Sequence, residues 1–372
     1  MMEKKPSTRH VCQLRLEKLK RYLRGKDLDG VVVVPGPNLR YYSGVNSLLL
    51  ERPFLFFVPR EGCPHLVAPK LESGPYLRAP VKIIVHDWDD SEGPSRAFKN
   101  LASQLVLKGR WGVEGRVPFR FIHELLKHAK PQLDDAEPIL ENVRKFKEPK
   151  EIQLLATAAS ILCKSFPKIP HMLTPGTTEL QLARKIREQA YSNGAETVDD
   201  VLVQSGALAA DPHHLPSPKK LRKKESIVVD ATCTYSGYYA DITRTFIIGN
   251  DRRFEDLYES TLEAQQRAIK AVKAGLTVSS IDQAARQCLA EKGLRKYFIH
   301  RTGHGLGLEV HEAPYIVPGG MEIVQPCMVF TVEPGVYMPK RVGVRIEDDV
   351  VATSVGCKVL TEALPKEFRW WS

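Results

Sequence analysis

Hydrophobic and polar positions alternate with two different periods along the first 142 residues. Leu16, Leu19 and Leu23 recur among lysines and arginines near the spacing of helix turns, which predicts an amphipathic first helix. Short apolar runs predict strands at residues 29–34, 53–58, 81–85 and 111–114, and a helical pattern covers residues 95–107. This alternation predicts a compact α/β domain over residues 1–142.

A charged connector at residues 142–150 marks a change to longer helices and strands, which places a second domain at residues 150–372. Within it, segments 176–194 and 275–293 each open with a glycine, a threonine and a helical pattern, and each ends on a second glycine. Two explanations fit this weak repeat. Either two duplicated α/β halves surround one shared site, or two ordinary capped helices look alike by chance.

Composition and charge exclude several classes of protein. The formal net charge is +10, but the densest basic cluster, at residues 219–224, has no interleaved aromatic residues, which favours a solvated loop over a nucleic-acid site. Seven dispersed cysteines without CxxC spacing predict buried thiols in a reducing compartment. Residues 1–13 show no apolar leader pattern, and no apolar run approaches ~18 residues. We therefore expect a cytoplasmic protein that binds neither nucleic acid nor membrane.

The stretch 226–248 carries two acids on two predicted strands. Asp230 ends one β-branched run and Asp241 precedes another, with the turn residues Tyr-Ser-Gly at 235–237 between them. A turn centred near residues 235 and 236 sets the two carboxylates directly opposite each other, where like charges are destabilising. A positive partner is then needed, and either Arg244 or a divalent cation fits.

Further candidate ligands lie towards the end of the chain. Residues 300–315 read HRTGHGLGLEVHEAPY, and their glycines favour close approach of the backbone to a ligand around His304. Glu333 and Glu347 each lie at or near the end of a β-rich run. Added to Asp230 and Asp241, they make four carboxylates and one imidazole, which suit Mn²⁺, Co²⁺, Fe²⁺ or Zn²⁺. Four negative charges favour two such ions, which lie about 3.5–4 Å apart and hold a bridging hydroxide as nucleophile.

The chain resembles the pita-bread metallopeptidases of the creatinase and methionine aminopeptidase family, and within them the branch of prolidase and aminopeptidase P. The matching motifs are SGALAADPHH, VVDATCTYSGYYADITRT, GHGLGLEVHEAP, TVEPGVY and GVRIEDD, in order between residues 205 and 349. The segment PNLRYYSG at 37–44 is similar to the N-terminal domain of that family. The resemblance implies a small creatinase-like α/β domain and a pita-bread domain, in which two pseudo-symmetric α/β halves surround a dinuclear metal site.

Mapped by motif, the resemblance implies a role for each candidate residue. The metal ligands would be Asp230, Asp241, His304, Glu333 and Glu347. The catalytic residues would be His213, which steadies the tetrahedral intermediate, His311, and Glu333, which shuttles a proton. The substrate would be contacted by His300, His311, Tyr315 and Arg345, and Arg345 would also orient a carboxylate ligand.

Three positions depart from the pattern of the family. Thr232 and Cys327 stand where glycines are usual. Tyr315 follows the HEAP motif, where prolidases of similar length often carry an arginine. A missing arginine at this position weakens the expected recognition of a proline carboxylate.

The implied activity is metal-dependent hydrolysis of the Xaa-Pro bond, foremost in dipeptides, with two Mn²⁺ ions ahead of Co²⁺, Zn²⁺ or Fe²⁺. An Xaa-Pro bond is a tertiary amide without an N–H group, and a two-metal site does not need that group because it holds the carbonyl oxygen and the free amine. The alternative is an aminopeptidase P that acts on Xaa-Pro-Yaa peptides. A non-catalytic pita-bread binding module and a metal-free amidinohydrolase are disfavoured, because every ligand position is filled. The expected partners are a small peptide and a second copy of the chain in a homodimer.

Overall fold

The computed structural model describes residues 8–367, and the chain divides into two compact units, Met1–Arg144 and Lys145–Ser372. Residues 1–7 and 368–372 lie outside the described part, and with them much of the segment that lacks a leader pattern. The predicted domain limits, 1–142 and 150–372, therefore stay predictions at both ends. Between residues 8 and 367, no helix combines the length and apolar character needed to cross a membrane.

The N-terminal unit alternates helices with short strands. Its helices are α1 (Thr8–Gly25), α2 (Pro37–Ser43), α3 (Lys70–Ser73), α4 (Ser95–Gln104), α5 (Phe119–Leu126) and α6 (Glu137–Arg144). Its strands are β1 (Gly30–Val33), β2 (Leu55–Pro59), β3 (His65–Pro69), β4 (Ile84–Trp88), β5 (Arg110–Val113) and β6 (Gln132–Asp135). They form one sheet in the order β4-β3-β2-β1-β5-β6. The predicted amphipathic first helix and the buried strand that follows it are confirmed.

One strand of this unit begins later than predicted. The apolar run at residues 81–85 predicts a strand there, whereas β4 starts at Ile84. The reason is the parallel partner β3, whose first residue, His65, pairs with Ile84. A strand begins where its ladder begins, and hydropathy alone does not locate that point.

The C-terminal unit has four helices and ten strands among its described residues. The helices are α7 (Pro149–Ser165), α8 (Glu179–Ser192), α9 (Arg252–Ala271) and α10 (Val278–Glu291). The strands are β7 (Val201–Ser205), β8 (Ser226–Tyr235), β9 (Tyr238–Ile247), β10 (Gly303–Gly305), β11 (Glu312–Ile316), β12 (Val329–Val332), β13 (Gly335–Met338), β14 (Val342–Arg345), β15 (Asp348–Ala352) and β16 (Cys357–Val359). The sheets have the orders β7-β8-β9, β11-β10-β12-β15-β16 and β13-β14.

The weak repeat in the sequence corresponds to a repeat of structure. Helices α8 and α10 both contain 14 residues, and each begins after a threonine, Thr178 or Thr277. Each of these threonines forms an isolated bridge to a later segment, Thr178 with Lys220 and Thr277 with Ile323. The explanation by chance similarity is therefore wrong, and the unit contains two comparable α/β halves.

Each half has its own apolar core, and the halves join along β9. Leu162, Ile186 and Val229 lie in the first core, and Ile281 and Phe330 lie in the second. The joint consists of hydrogen bonds between β9 and the segment from β14 to β15, including the bond from the Glu347 amide to the Thr243 carbonyl at 3.1 Å. Residues of both halves therefore meet beside β9.

Candidate metal centre and active site

The hairpin β8–β9 places two aspartates on one face but not directly opposite each other. Asp241 pairs with Thr232, and Asp230 pairs with Thr243. The prediction that the two aspartates lie directly opposite each other is therefore wrong, because the turn is one residue further along the chain than predicted. The turn is Ser236-Gly237, at φ values of 50° and 73°, because a two-residue hairpin turn with both residues at positive φ suits Ser-Gly better than Tyr-Ser. The aspartates become diagonal neighbours, about 7–8 Å apart at Cα, which leaves room for an ion between the carboxylates.

The proposal that Arg244 neutralises these aspartates is also wrong. Arg244 projects from the other face of β9, where its Nη2 lies 2.9 Å from Oδ1 of Asp348. Its Nη1 donates to the carbonyl of Glu347 at 2.6 Å. The partner of Asp230 is instead Arg345, whose Nη2 lies 2.6 Å from Oδ2 of the aspartate.

Three of the five candidate ligands come together closely. One donor atom from each of Asp241, His304 and Glu347 lies within 4.8 Å of the other two, and all three residues are buried. Nε2 of His304 is 3.8 Å from Oδ2 of Asp241 and 3.4 Å from Oε1 of Glu333, which adds the fourth candidate. The fifth, Asp230, borders this group, since its charge is among the causes that raise the pKa values of Asp241 and Glu347.

The imidazole of His304 is presented as a ligand. Its Nδ1 lies 3.2 Å from the carbonyl oxygen of Gly305, which is an acceptor and therefore holds the ring proton on that side. Nε2 faces the carboxylates with its lone pair. Burial, followed by the neighbouring His311, lowers the pKa of His304 well below its usual value and so keeps the ring neutral.

Two carboxylate oxygens of this cluster lack hydrogen-bond donors among the described residues. They are Oδ1 of Asp241 and Oε1 of Glu347, which are buried without a partner in the part of the chain that the structure describes. Burial, and then the negative charges around them, raise the pKa values of Asp241 and Glu347 well above their usual range. Buried charges of one sign are costly unless they are paired or coordinate metal ions. The donor set therefore fits divalent cations.

A threonine and a tyrosine connect the cluster to its arginine, and neither was singled out from the sequence. Oγ1 of Thr243 accepts from Nε of Arg345 at 3.1 Å and donates to Oε2 of Glu347 at 2.6 Å. The hydroxyl of Tyr337 lies 2.8 Å from Nη1 of Arg345 and 2.9 Å from Nε2 of His300. Alternation along β9 was the available signal for Thr243, because residues two apart on a strand share a face with Asp241.

The other candidate histidines surround this cluster at different depths. The ring of His311 meets that of His304 edge to face, with centroids 4.1 Å apart. His300 is half-buried, and burial followed by the charge of Arg345 lowers its pKa to about 3. His213 is exposed, and its charge is among the smaller causes that lower the pKa values of His300 and His311.

A buried glutamate, which sequence reasoning did not identify, closes the loop that carries His213. Oε1 of Glu179 accepts from the amide and hydroxyl of Ser205 at 2.8 and 2.6 Å. Oε2 accepts from the amide and hydroxyl of Ser217 at 3.1 and 2.6 Å. Nε2 of His214 lies 3.5 Å from the same carboxylate. We call Glu179 with its two serine partners the clamp. Of the two adjacent histidines, His214 therefore faces the clamp and His213 faces solvent.

Two glycines that flank His304 are required by the packing of neighbouring strands. A Cβ atom at Gly303 would lie 1.9 Å from the carbonyl oxygen of Thr331, and one at Gly305 would lie 2.3 Å from that of Ala313. The predicted close approach of a ligand stays a prediction, and the two glycines have a structural role of their own. They let β10 pack between its neighbouring strands, and this packing sets the position of His304.

The site and fold can be compared with known proteins. The chain matches the model of metallopeptidase family M24 over residues 153–354 and that of the creatinase/prolidase N-terminal domain over residues 15–146. It is 38% identical over 334 residues to a probable dipeptidase PepE of Mycobacterium bovis, with 88% of each chain covered. It is 32% identical to a Xaa-Pro dipeptidase of Pyrococcus horikoshii, with 95% of this chain and 98% of that protein covered. The crystal structure of dipeptidase PepE from Mycobacterium ulcerans superposes with a TM-score of 0.89 at 35% identity, covering 99% of this chain and 100% of that chain.

Proposed function

Because the chain belongs to metallopeptidase family M24 and carries the creatinase/prolidase N-terminal domain, we propose that it hydrolyses the Xaa-Pro bond of dipeptides. The observation that carries the proposal is the meeting of Asp241, His304 and Glu347, whose donor atoms lie within 4.8 Å of one another. Relatives named dipeptidase or Xaa-Pro dipeptidase match 88% and 95% of the chain, across both domains, which supports a peptide substrate.

Two divalent ions would be held by the five candidate ligands, Asp230, Asp241, His304, Glu333 and Glu347. When bound, such ions lower the pKa of coordinated water and polarise the scissile carbonyl group. A complete set of donors argues against a binding module without activity, since such a module has no need of buried, uncompensated carboxylates.

Glu333 is proposed as the residue that moves the proton. Burial, the largest cause, raises the pKa of its carboxyl to about 7, and Oγ1 of Thr331 donates to its Oε1 at 3.3 Å. The same Oε1 lies 3.4 Å from Nε2 of His304, so an ionisable carboxyl group is positioned beside the other proposed ligands for general acid–base work. Glu333 would take the proton from the attacking oxygen and deliver it to the departing proline nitrogen.

Three histidines would surround the substrate. His213, on the loop closed by Glu179, would donate a hydrogen bond to the developing oxyanion, a type of contact that raises rates substantially. His300 would contact the peptide beside Tyr337, and His311 would contact it beside His304. Arg345 already donates to Asp230, Thr243 and Tyr337, so its proposed role is to orient Asp230 rather than to bind the substrate directly.

Aminopeptidase P activity on longer peptides is the second candidate. The observation that favours it is Tyr315, which puts a phenol where a guanidinium would mark a site for a free proline carboxylate. The compact two-domain layout favours the dipeptidase, because relatives of this length carry that name.

The proposal extends to the metal, the assembly and the compartment. The oxygen-rich donor set with one imidazole suits Mn²⁺, with Co²⁺, Zn²⁺ and Fe²⁺ as alternatives. We expect a homodimer, as is usual for the family that the sequence resembles, and sedimentation of the full chain tests this. The seven cysteines are all free, which supports a reducing, cytoplasmic compartment.

Hydrolysis rates test the proposed function directly. Metal-depleted protein is supplied with Mn²⁺, Co²⁺ or Zn²⁺ and given Ala-Pro, Ala-Pro-Ala and, as a control, Ala-Ala. We expect Mn²⁺-dependent cleavage with Ala-Pro as the best substrate. Equal or faster cleavage of Ala-Pro-Ala would identify an aminopeptidase P, and no cleavage of either proline peptide with any metal would contradict both candidates.

A further inference from the structure

Arg301 presents a guanidinium that stacks on an aromatic ring and forms no ion pair among the described residues, although its charge is among the smaller causes that oppose the burial-driven rise in the pKa of Glu333. Its Cζ lies 4.8 Å from the centroid of the Tyr315 ring, over the face of that ring. Between residues 8 and 367, no carboxylate pairs with this guanidinium and no acceptor is hydrogen-bonded to it. The side chain is half-buried, so part of it remains accessible. A guanidinium has five N–H donors in a planar fork, and such a fork without an acceptor is ready to bind one.

The position of Tyr315 brings this guanidinium to the metal cluster. In the antiparallel pair β10·β11, Tyr315 stands directly opposite His304. Directly opposed residues project from the same face of a ladder, at about 4.5–5.5 Å between Cβ atoms. The Tyr315 ring therefore neighbours the imidazole that faces Asp241 and Glu333, and Arg301 lies on that ring.

Electrostatics agrees with this placement. After burial, the charge of Arg301 is the next cause that lowers the pKa of His311, a residue in edge-to-face contact with His304. The same charge is among the smaller causes, after burial, that lower the pKa of His304. The charge of Arg301 also opposes the burial-driven rise in the pKa of Glu333, so it acts on residues that we assign to the metal and to the substrate.

The other guanidinium at the site is already engaged. Arg345 is buried, and its three nitrogens contact Asp230, Tyr337 and Thr243. A substrate carboxylate would have to displace these contacts to bind it. Within the described part of the chain Arg301 has no such contacts to lose, so it is the better receptor for an anion.

We propose that Arg301, supported by the ring of Tyr315, recognises the free C-terminal carboxylate of the dipeptide substrate. The inference rests on the proposed hydrolysis of Xaa-Pro bonds and names the residue that selects dipeptides over longer chains. The carboxylate of an Xaa-Pro dipeptide is on the same residue as the scissile nitrogen, so a receptor close to the metal cluster can reach it. In a longer peptide that group is a neutral amide, which cannot accept a charge-assisted bidentate pair. Tyr315 stands where prolidases often carry an arginine. On this proposal its ring supports Arg301, which supplies the guanidinium from a different position in the sequence.

The test compares Ala-Pro with Ala-Pro amide, which differ only in the terminal carboxylate. Steady-state rates are measured on Mn²⁺-loaded wild type, Arg301→Gln and Arg301→Lys. Arg295→Gln serves as a matched control, because Arg295 is exposed on the same segment. Circular dichroism and bound manganese are recorded for every variant, and inhibition by proline against prolinamide gives a second readout that does not depend on turnover.

We expect Arg301→Gln to raise KM for Ala-Pro by about 10- to 100-fold while Ala-Pro amide changes less than about 2-fold, because only the carboxylate loses its charged partner. The KM of Arg301→Lys for Ala-Pro should lie between the values of wild type and Arg301→Gln, since an ammonium group keeps the charge but lacks the planar fork of donors. Arg295→Gln, outside the proposed receptor, should keep the selectivity of wild type. Proline should inhibit Arg301→Gln correspondingly less than it inhibits wild type.

Equal changes for Ala-Pro and its amide in Arg301→Gln, or a proline inhibition unchanged from wild type, would overturn the role of Arg301 and leave the proposed hydrolysis intact. Loss of the folded state in Arg301→Lys, which retains charge and length, would likewise overturn it, because the arginine would then serve the fold. A wild type that cleaves neither Ala-Pro nor its amide with any of the metals would instead refute the proposed function.

Discussion

Nη2 of Arg345 lies 2.6 Å from Oδ2 of Asp230, and this ion pair joins a strand of the second half to the hairpin of the first. The same guanidinium reaches Thr243, whose hydroxyl donates to Glu347. One arginine thus orients two carboxylates of the cluster from one side. This leaves the opposite oxygens of the cluster, including the unpartnered Oε1 of Glu347, for cations.

Replacing Arg345 by lysine tests this arrangement. An ammonium keeps the positive charge but cannot make the three contacts to Asp230, Thr243 and Tyr337 in their present geometry. We expect Arg345→Lys to retain bound manganese while kcat falls by about 10-fold or more, because one or two hydrogen bonds to charged groups are lost. Arg341→Lys is the control and should behave as wild type, because Arg341 is exposed in the turn between β13 and β14, the strand that carries Arg345. Unchanged kcat in Arg345→Lys would remove the orienting role.

Three of the ligands predicted from the sequence, Asp241, His304 and Glu347, come together in the structure, whereas their mutual positions were not readable from the sequence. Acids at strand ends and a histidine in a glycine-rich segment indicated the donor set through chemistry alone. The register of the hairpin depended on whether Tyr-Ser or Ser-Gly formed the turn, and a shift of one residue moved Asp241 from opposite Asp230 to opposite Thr232. Hydropathy does not distinguish these two registers.

The roles of several further residues became clear only from tertiary contacts. Arg244 and Arg345 are both near the acids in sequence or motif, but alternation along β9 sends Arg244 to the other face, where it binds Asp348. Cys327, at a position where the family pattern has glycine, has a φ of 69°, which explains the usual glycine there. Glu179 accepts hydrogen bonds from Ser205 and Ser217, which lie 26 and 38 positions further along the chain. Local sequence patterns do not predict contacts over such separations.

Glu179 provides a second prediction. Its two oxygens accept four hydrogen bonds from Ser205 and Ser217, so an amide group there would set a donor against a donor. We expect Glu179→Gln to lose about 1–3 kcal/mol of unfolding free energy, the cost of buried groups left without partners. Because the clamp positions the loop of His213, kcat should fall while bound manganese stays the same.

Urea unfolding, metal content and steady-state kinetics measure these three quantities in one preparation. Glu188→Gln, at an exposed glutamate of the same helix α8, is the matched control. If Glu179→Gln unfolds at the urea concentration of wild type and Glu188→Gln, the carboxylate does not hold the loop.

His213 and His214, adjacent in the loop that Glu179 closes, should have different functions. We expect His213→Ala to keep its metal ions but to lower kcat by roughly 10²–10³-fold, the usual effect of one missing oxyanion donor. His214 is half-buried 3.5 Å from Glu179, so His214→Ala should reduce stability more than kcat. The comparison needs kcat on Ala-Pro and the unfolding temperature of both variants. A larger loss of kcat in His214→Ala would reverse the assignment.

The measurement that tests the central claim most directly is a titration of metal-depleted protein with Mn²⁺, in which bound metal and Ala-Pro hydrolysis are followed together. Wild type should bind two ions per chain and reach its full rate only when both are bound, because the proposed site shares its ions among four carboxylates and His304. Asp241→Asn should bind fewer ions, since an amide is a poorer ligand without charge, and its rate should fall by several orders of magnitude. In the absence of metal, its unfolding temperature should rise above that of wild type, because one of the buried, mutually repelling carboxylates is gone. Full activity of the metal-free wild type, or two tightly bound ions and wild-type rates in Asp241→Asn, would contradict the account.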